Sequence, residues 1–320
     1  MLMLETFDIP YDEINFNQNK YDFYITNNIQ CNSNLEKGLG FYRTIIAERD
    51  FNDLSQSQIK TYVKESKYET LLDGEIYWYK NIPCDIKHLF PTFIRHDPNY
   101  KCYEIEKIDG IPLSYIYTTN TFNSRYLTKL LENIELIHNS NLTKHDKNTN
   151  IYSNYKSKLE GRYLKHREYY ESEFQYANDI YNNLVNYFTQ YEKDNMGKKC
   201  IIHGDPVFSN IIIDGFDQFK FIDMRGKQEN KLTIFGDKWY DFAKIYQSLL
   251  GYDHILLNYT LNANYRNKYL SEFNNYITKK YGNETLEKIK MITKCHIFTL
   301  LPLHKNEKCK EYFKLITFFP

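Results

Sequence analysis

The stretch from Cys200 to Asp223, CIIHGDPVFSNIIIDGFDQFKFID, constrains this chain more than any other. Cys200–Ile202 and Ile211–Ile213 are short apolar runs rich in β-branched residues, and Phe219–Ile222 is a third such run. Asp214-Gly215 supplies a turn between the last two. The pattern predicts strand, polar loop, strand, turn, strand. His203-Gly204-Asp205 opens the loop, Asn210 follows five residues after Asp205, and Asp223 ends the third run. Three oxygen-bearing side chains, Asp205, Asn210 and Asp223, are thus expected at the rim of a rigid scaffold.

The rest of the chain is organised around that scaffold. Residues 1–40 are polar, Asn-rich and weakly periodic, and read as a poorly defined extension. Phe41–Arg49 and Ile59–Lys64 (IKTYVK) read as strands, separated by the polar loop Asp53–Gln58. Leu72, Glu75, Ile76 and Tyr79 share one face of a helix over Leu71–Asn81, which turns Glu75 inward. Pro83 and Pro91 punctuate the next stretch. Lys101–Ile108 alternates as a strand, and Asp109-Gly110-Ile111-Pro112 breaks it. Asn123 or Ser124 is expected to cap a helix carrying Leu127, Leu130, Leu131, Ile134 and Ile137. Residues 150–195 read as long tyrosine-rich helices. Gly236-Asp237 opens a helix through Phe242, Ile245, Tyr246 and Leu249 that Gly251 closes. Amphipathic helices follow over about 265–281 and 285–300. A strand-rich first third and a helix-rich remainder make an α+β chain of two lobes, residues 1–108 and 109–320, with a hinge near 104–112.

Bulk properties remove several function classes. Lys+Arg and Asp+Glu both number 41 in 320 residues, so nothing in the net charge argues for nucleic acid or an anionic membrane as partner. The 31 Tyr and 21 Phe, with heavy use of Asn, Ile and Lys, fit AT-rich coding. The six cysteines form no CxxC and no zinc-spaced Cys/His cluster, which predicts free thiols in a reducing cytoplasm. The N-terminus MLMLETFDIPYDE is acidic and lacks a long apolar core, so no signal peptide is expected. The apolar stretch His296–His304 is too short to span a bilayer, and no integral membrane segment is expected. Nothing in the sequence sets the oligomeric state.

The chemistry suggested by the loop is phosphoryl transfer. That reaction needs a nucleotide held with its metal and an acceptor hydroxyl aligned with the γ-phosphate. Mg²⁺ takes a few hard oxygen ligands and keeps waters. The Asn210 amide oxygen and the Asp223 carboxylate suit the metal. Asp205 is placed to accept a hydrogen bond from the acceptor alcohol, and His203 to brace the loop.

HGDPVFSNIIID, FKFIDMRG and GDKWYDFAKIYQSL together resemble the aminoglycoside phosphotransferase and choline kinase group of kinase-like enzymes. The specific match covers about 200–253, with a weaker one reaching back through Glu75. Within the group it is most similar to members encoded with capsule and other surface-polysaccharide genes. The resemblance implies a bilobal kinase fold that uses ATP and Mg²⁺ on a small-molecule acceptor. It implies Asp205 as catalytic base in a catalytic loop 203–210. It also implies Asn210 and Asp223 as metal ligands, the latter in a segment 221–226. The group needs a strand lysine paired with a helical glutamate. Lys64, eleven residues before Glu75, is the preferred partner, with Lys60 and Lys67 as rivals. The phosphate loop departs from a glycine-rich pattern. Ser55-Gln56-Ser57 would cover the phosphates with small side chains and backbone N–H groups, and ATP against GTP stays open. Tyr103–Lys107, with Glu104, Ile105 and Glu106 at its centre, is expected to meet the adenine through its backbone. Arg225 would bind the γ-phosphate or an anionic acceptor, or brace the loop. Asp237 and Asp241 are expected to cap a helix and hold loop backbone. Trp239, Tyr240, Tyr246 and Tyr252 would pack in the core or line an acceptor pocket. The alternative to a small-molecule kinase acting on a sugar, amino alcohol or polyol is a non-catalytic kinase-like module.

Overall fold

A computed structural model describes residues 44–51, 59–66, 71–140, 149–303 and 308–319. The extension 1–40, the loop Asp53–Gln58 with Ser55 and Ser57, and Lys67 lie outside the described residues.

The first part is an antiparallel four-stranded sheet in the order β1-β2-β4-β3. Its strands are β1 (Thr44–Phe51), β2 (Ile59–Ser66), β3 (Phe93–His96) and β4 (Cys102–Glu106). β2 pairs with β1 on one edge and β4 on the other, with Lys64 opposite Ile46 and Tyr103. Helix α1 (Asp73–Lys80) links β2 towards β3 and lies on the sheet. Leu72, Ile76 and Tyr79 are buried there, and the Tyr79 ring stacks on Phe93 at 5.2 Å. The region between Pro83 and Pro91 is a 3₁₀ helix over Cys84–Leu89.

The chain leaves that sheet after Glu106 and at once enters a different one. β5 (Gly110–Pro112) pairs with β7 (Ile211–Asp214), and β7 with β8 (Phe219–Phe221). The turn expected at Asp214-Gly215 joins β7 to β8, with Asp214 Oδ1 accepting from the Phe216 and Gln218 N–H groups at 2.9 and 2.8 Å. β6 (Lys199–Ile201) pairs with β11 (Phe235–Asp237), and β9 (Lys227–Gln228) with β10 (Lys231–Leu232).

Helices make up most of the remainder. α2 (Leu113–Thr118) precedes α3 (Ser124–Asn139), and Asn123 is the α3 cap, its side chain accepting from Tyr126 N at 3.0 Å. The apolar stripe from Leu127 to Ile137 is buried, each side chain contributing roughly 1.5–3 kcal/mol. The long helical stretch divides into α4 (Lys156–Lys165), α5 (Arg167–Glu173) and α6 (Ala177–Lys193). Tyr176, at φ 62°, makes the second break. α7 (Lys238–Leu250) begins at the Asp237 cap and ends at Gly251, whose φ of 118° reverses the chain. α8 (Tyr252–Leu257), α9 (Ala263–Tyr281), α10 (Asn283–Leu300) and α11 (Lys308–Ile316) complete the order. α9 starts two residues before the periodicity suggests, because the Asn262 side chain caps the N–H groups of Asn264 and Tyr265. α7 is enclosed by α9 and α10, and almost all of its residues are buried. The described cysteines, Cys84, Cys102, Cys200, Cys295 and Cys309, are free thiols. Among the described residues no helix is long and apolar enough to cross a membrane.

Many of the tyrosines are core residues, and several pair their hydroxyls with fixed acceptors. Tyr155 and Tyr191 donate to Asp237 Oδ2 at 2.7 and 2.6 Å, and Tyr170 donates to Phe298 O at 2.8 Å. Asp237 also accepts from Lys198 N at 2.9 Å and Trp239 N at 3.3 Å. Burial raises its pKa, and these donors offset that only in part. Asp237→Ala orphans all of them in a dry site. It should cost roughly 3–5 kcal/mol in urea unfolding, whereas Tyr155→Phe costs about 1 kcal/mol. Equal losses for the two variants would remove Asp237 as the organiser of this cluster.

Candidate active site

Strand β6 delivers the chain into the loop 202–210. Gly204 sits at φ 90°, a left-handed angle that suits glycine. Asp241, fully buried on α7, accepts from the His203 and Gly204 N–H groups at 2.8 Å each. It also lies 3.0 Å from His138 Nε2 on α3. His203 is itself buried and braces the loop from within, its Nδ1 accepting from Asp205 N at 3.1 Å. Burial holds His203 below the usual imidazole range, so its ring is neutral. Phe208 N donates to Ser248 Oγ at 3.0 Å, and the Phe208 ring packs on Tyr117 and Phe122. The loop is therefore fixed to α2 and α7 at several points.

Backbone bonds then join the second acidic segment to this loop. Ile222 N donates to Asn210 O at 3.0 Å, and Arg225 N to His203 O at 2.9 Å. Asn210 Nδ2 donates to Asp205 O at 2.9 Å, which commits its nitrogen and leaves its Oδ1 as an acceptor. Asp223 adopts φ 59° and is partly exposed. Beyond it Gly226, at φ 55°, touches the first turn of α1. A Cβ on Gly226 would stand 1.8 Å from Gly74 O, and one on Gly74 would stand 2.2 Å from Arg225 O. Lys227 Nζ seals the contact through Asp73 Oδ2 at 2.7 Å. Trp78 Nε1, about one turn further along α1, donates to Ile202 O at 2.9 Å.

Lys64 is the convergence point. Its ammonium donates to Glu75 Oε2 and Oε1 at 2.9 and 3.1 Å, and to Asp223 Oδ1 at 2.7 Å. Tyr103 OH donates to Glu75 Oε2 at 2.5 Å. Burial works against the Lys64 charge, but Asp223 and Glu75 outweigh it and raise its pKa. Across the loop, Lys244 Nζ on α7 is 3.0 Å from Asp205 Oδ1. Burial opposes ionisation of Asp205, yet Lys244 and Arg225 hold its pKa below the usual carboxylate range. Arg225 Nη1 donates to Tyr240 OH at 2.7 Å.

The structure thus brings Lys64, Glu75, His203, Asp205, Asn210, Asp223 and Arg225 into one linked region. Lys60 lies in β2, while Ser55 and Ser57 lie outside the described residues. The expectation for Glu104, Ile105 and Glu106 needs correction. β4 is an interior strand, with Glu104 and Ile105 in register with both β2 and β3, and Glu106 N donates to Thr92 O at 2.9 Å. Their backbone donors are spent in the sheet. The Glu104 side chain is also committed, to Thr61 at 2.6 Å and Arg95 at 2.5 Å. Trp239, Tyr240, Tyr246 and Tyr252 are buried. Sequence reasoning missed Lys244. Its signal was a cation in the middle of an otherwise apolar helix stretch, FAKIYQSLL.

With two lobes meeting at this site, the protein has a kinase-like fold: a small strand-rich first part and a mostly helical remainder. It is similar in structure to an ethanolamine kinase of Plasmodium vivax, with a TM-score of 0.53 and 16% identity over 85% of this chain and 81% of the other. Choline kinase LicA of Streptococcus pneumoniae, solved in complex with AMP, matches with a TM-score of 0.52 and 15% identity over 87% and 93%. A thermostable mutant of aminoglycoside phosphotransferase APH(4)-Ia matches with a TM-score of 0.53 and 8% identity over 85% and 94%. No family model and no curated protein matches the chain.

The Gly74–Gly226 contact sets how closely the acidic segment approaches α1. Gly226→Ala adds a methyl against backbone at a left-handed angle. It should destabilise the protein by roughly 2 kcal/mol or more in urea unfolding. A loss under about 0.5 kcal/mol would mean that the two segments separate freely.

Proposed function

We propose that this chain is a small-molecule kinase that transfers the γ-phosphate of ATP to an alcohol. The observation that carries the reading is the Lys64 ammonium shared between Glu75 and Asp223, with Asp205 and Asn210 on the adjoining loop. Lys64 pairs with the α- and β-phosphates, and Glu75, fixed by Tyr103, keeps Lys64 in place. The chain leaves the first sheet at Lys107–Asp109, and the backbone there meets the adenine.

The donor set fits Mg²⁺. Asn210 Oδ1 and the second oxygen of Asp223 are hard ligands, held side by side by the Ile222–Asn210 bond. Among the described residues no three His, Cys, Asp or Glu side chains form a metal-holding group, and Asn210 and Asp223 are the side chains that would hold the ion. Bound there, the ion neutralises charge on the phosphates. Asp205 accepts a hydrogen bond from the acceptor hydroxyl, aims its oxygen at the γ-phosphorus and takes its proton as the new O–P bond forms. ADP leaves with the electrons of the broken bond. The acceptor is a sugar, amino alcohol or polyol. The resemblance of 200–253 supports a place in surface-polysaccharide biosynthesis.

Thermal denaturation with Mg²⁺ and nucleotide tests the reading directly. ATP at 100 times its Kd should stabilise the protein by about 2.7 kcal/mol. Absence of a shift with every nucleotide would defeat the proposal. Asp205→Asn should keep that shift and lose roughly 10²-fold or more in turnover. Full turnover in that variant would exclude Asp205 from the reaction.

The pH profile offers an independent check. Asp205 has a depressed pKa, so it stays ionised through neutral pH and loses its charge only as pH falls below the usual carboxylate range. Lys244→Met removes the nearest cation and should move the acid limb of the pH–kcat/KM profile to higher pH. An acid limb that stays in place would separate Asp205 ionisation from turnover.

A further inference from the structure

Positive charge accumulates on the helical side of Asp205, away from Lys64 and the Asn210–Asp223 pair. Lys158 and Arg162 are one turn apart on α4 and share a face. Arg162 Nη1 donates to Thr299 O at 2.7 Å, which turns that face toward α10. One turn back on α10 is His296, whose ring centre lies 4.3 Å from that of Tyr240 on α7. Arg225 Nη1 donates to the Tyr240 hydroxyl at 2.7 Å, and Lys244, a turn further along α7, reaches Asp205 at 3.0 Å. Four cations from three separate segments therefore gather on the side of Tyr240, and two of them, Lys244 and Arg225, act on the catalytic-loop carboxylate Asp205.

This group is not a solvated face. All four cations are half-buried, which leaves them reachable from solvent but poorly hydrated. Among the described residues no carboxylate pairs with Lys158. Burial, followed by the charges of Arg225, Arg162 and Lys244, drives its pKa well down. His296 is 4% exposed, and neither of its ring nitrogens has a hydrogen-bond partner. Burial and the same four cations push His296 down as well, so its ring is neutral and able both to donate and to accept. The acids within reach are Asp205 and Asp241. Asp205 is paired with Lys244, and Asp241 is committed to backbone N–H groups. Like charges gathered in a partly dry site are unfavourable unless a counter-charge arrives. Lys64 and the metal ligands already serve the nucleotide phosphates from the other side, so the missing counter-charge belongs to the second substrate.

We propose that the acceptor is an anionic alcohol, a hydroxyl compound carrying a phosphate or carboxylate, whose anionic group docks on Lys158 and Arg162 beside His296 while its hydroxyl faces Asp205. The inference rests on the kinase reading and narrows it. A cationic acceptor such as choline or ethanolamine would enter against four like charges.

Isothermal titration of the full chain, in the presence of Mg²⁺ and a non-hydrolysable ATP analogue, tests it. The probes are glycerol 3-phosphate, a hexose 6-phosphate, a hexuronate, neutral glycerol and hexose, and choline. At least one anionic probe should bind at least tenfold more tightly than its neutral counterpart and than choline. Lys158→Met and Arg162→Gln should each weaken that probe at least tenfold, with cooperative thermal unfolding without ligand confirming that each variant is folded. A phosphate preference against a carboxylate preference then separates the two sources of the anion. Choline binding as well as the anions do, or anion binding unchanged in both variants, would overturn the proposal. If the ATP analogue itself fails to bind, the kinase reading fails. The anion titration repeated without nucleotide then still decides whether the cationic cluster is an anion site.

Discussion

One ammonium group between two carboxylates ties the site together. Lys64 comes from the first sheet, Glu75 from the helix laid on that sheet, and Asp223 from the segment that follows β8 in the helical part. None of the three would sit in so confined a place alone, since burial opposes the charge of each buried partner. Together they leave one excess negative charge facing outward at Asp223, next to the free oxygen of Asn210. An excess negative charge beside a neutral oxygen donor suits a hard cation. The ion pair is therefore at once a brace between the two parts and a source of field for the proposed metal.

The brace needs a close fit to work. Gly74 and Gly226 touch backbone to backbone, and Lys227–Asp73 and Trp78–Ile202 pin α1 on both sides of that contact. On the helical side two buried aspartates do comparable work. Asp241 spends its oxygens on His203 and Gly204 N–H groups, and Asp237 spends its own on Tyr155, Tyr191, Lys198 and Trp239. A carboxylate that accepts backbone donors fixes loop geometry more rigidly than apolar packing, because the bonds are directional and strong. The abundance of tyrosine has the same logic. A buried ring fills core volume and its hydroxyl can reach a fixed acceptor, as that of Tyr117 does with Leu249 O at 2.7 Å.

Much of this was legible in the sequence, for definite reasons. The loop 203–210 could be read because its polar residues stand at fixed spacing between β-branched runs, and the structure has strands on both sides of it. The Lys64–Glu75 pair could be read because a strand end and a helical face are both periodic signals. The expectation of free backbone donors at 104–106 did not hold because a single strand pattern does not reveal whether the strand is interior or edge. Here β3 returns to cover β4. Lys158, Arg162 and Lys244 carried almost no signal. A lone lysine or arginine in a helix usually marks a solvated face. These three acquire meaning only when α4, α7 and α10 bring Lys158 and Arg162 beside Tyr240 and Lys244, the residue that reaches Asp205.

That convergence divides the electrostatics of the site at Asp205. On the strand side, one cation serves two carboxylates. On the helical side, Lys244 and Arg225 flank Asp205, with Lys158 and Arg162 next to those two. The consequence for Asp205 is a carboxylate that is firmly ionised and correspondingly weak as a base. For many proton transfers that would be a handicap, since an effective base has a pKa near the working pH. Phosphoryl transfer tolerates it. Its transition state is loose, the attacking oxygen has formed little bond, and the hydroxyl proton is still largely in place. What such a reaction asks of Asp205 is a fixed hydrogen-bond acceptor that aims the alcohol oxygen, and a carboxylate pinned by Lys244 on a loop clamped by Asp241 meets that demand. The cations that weaken Asp205 as a base, Lys244 and Arg225, adjoin Lys158 and Arg162, the pair proposed to hold the acceptor's anionic group. On that proposal, loss of basicity and selection of substrate charge are two effects of one contiguous arrangement of side chains.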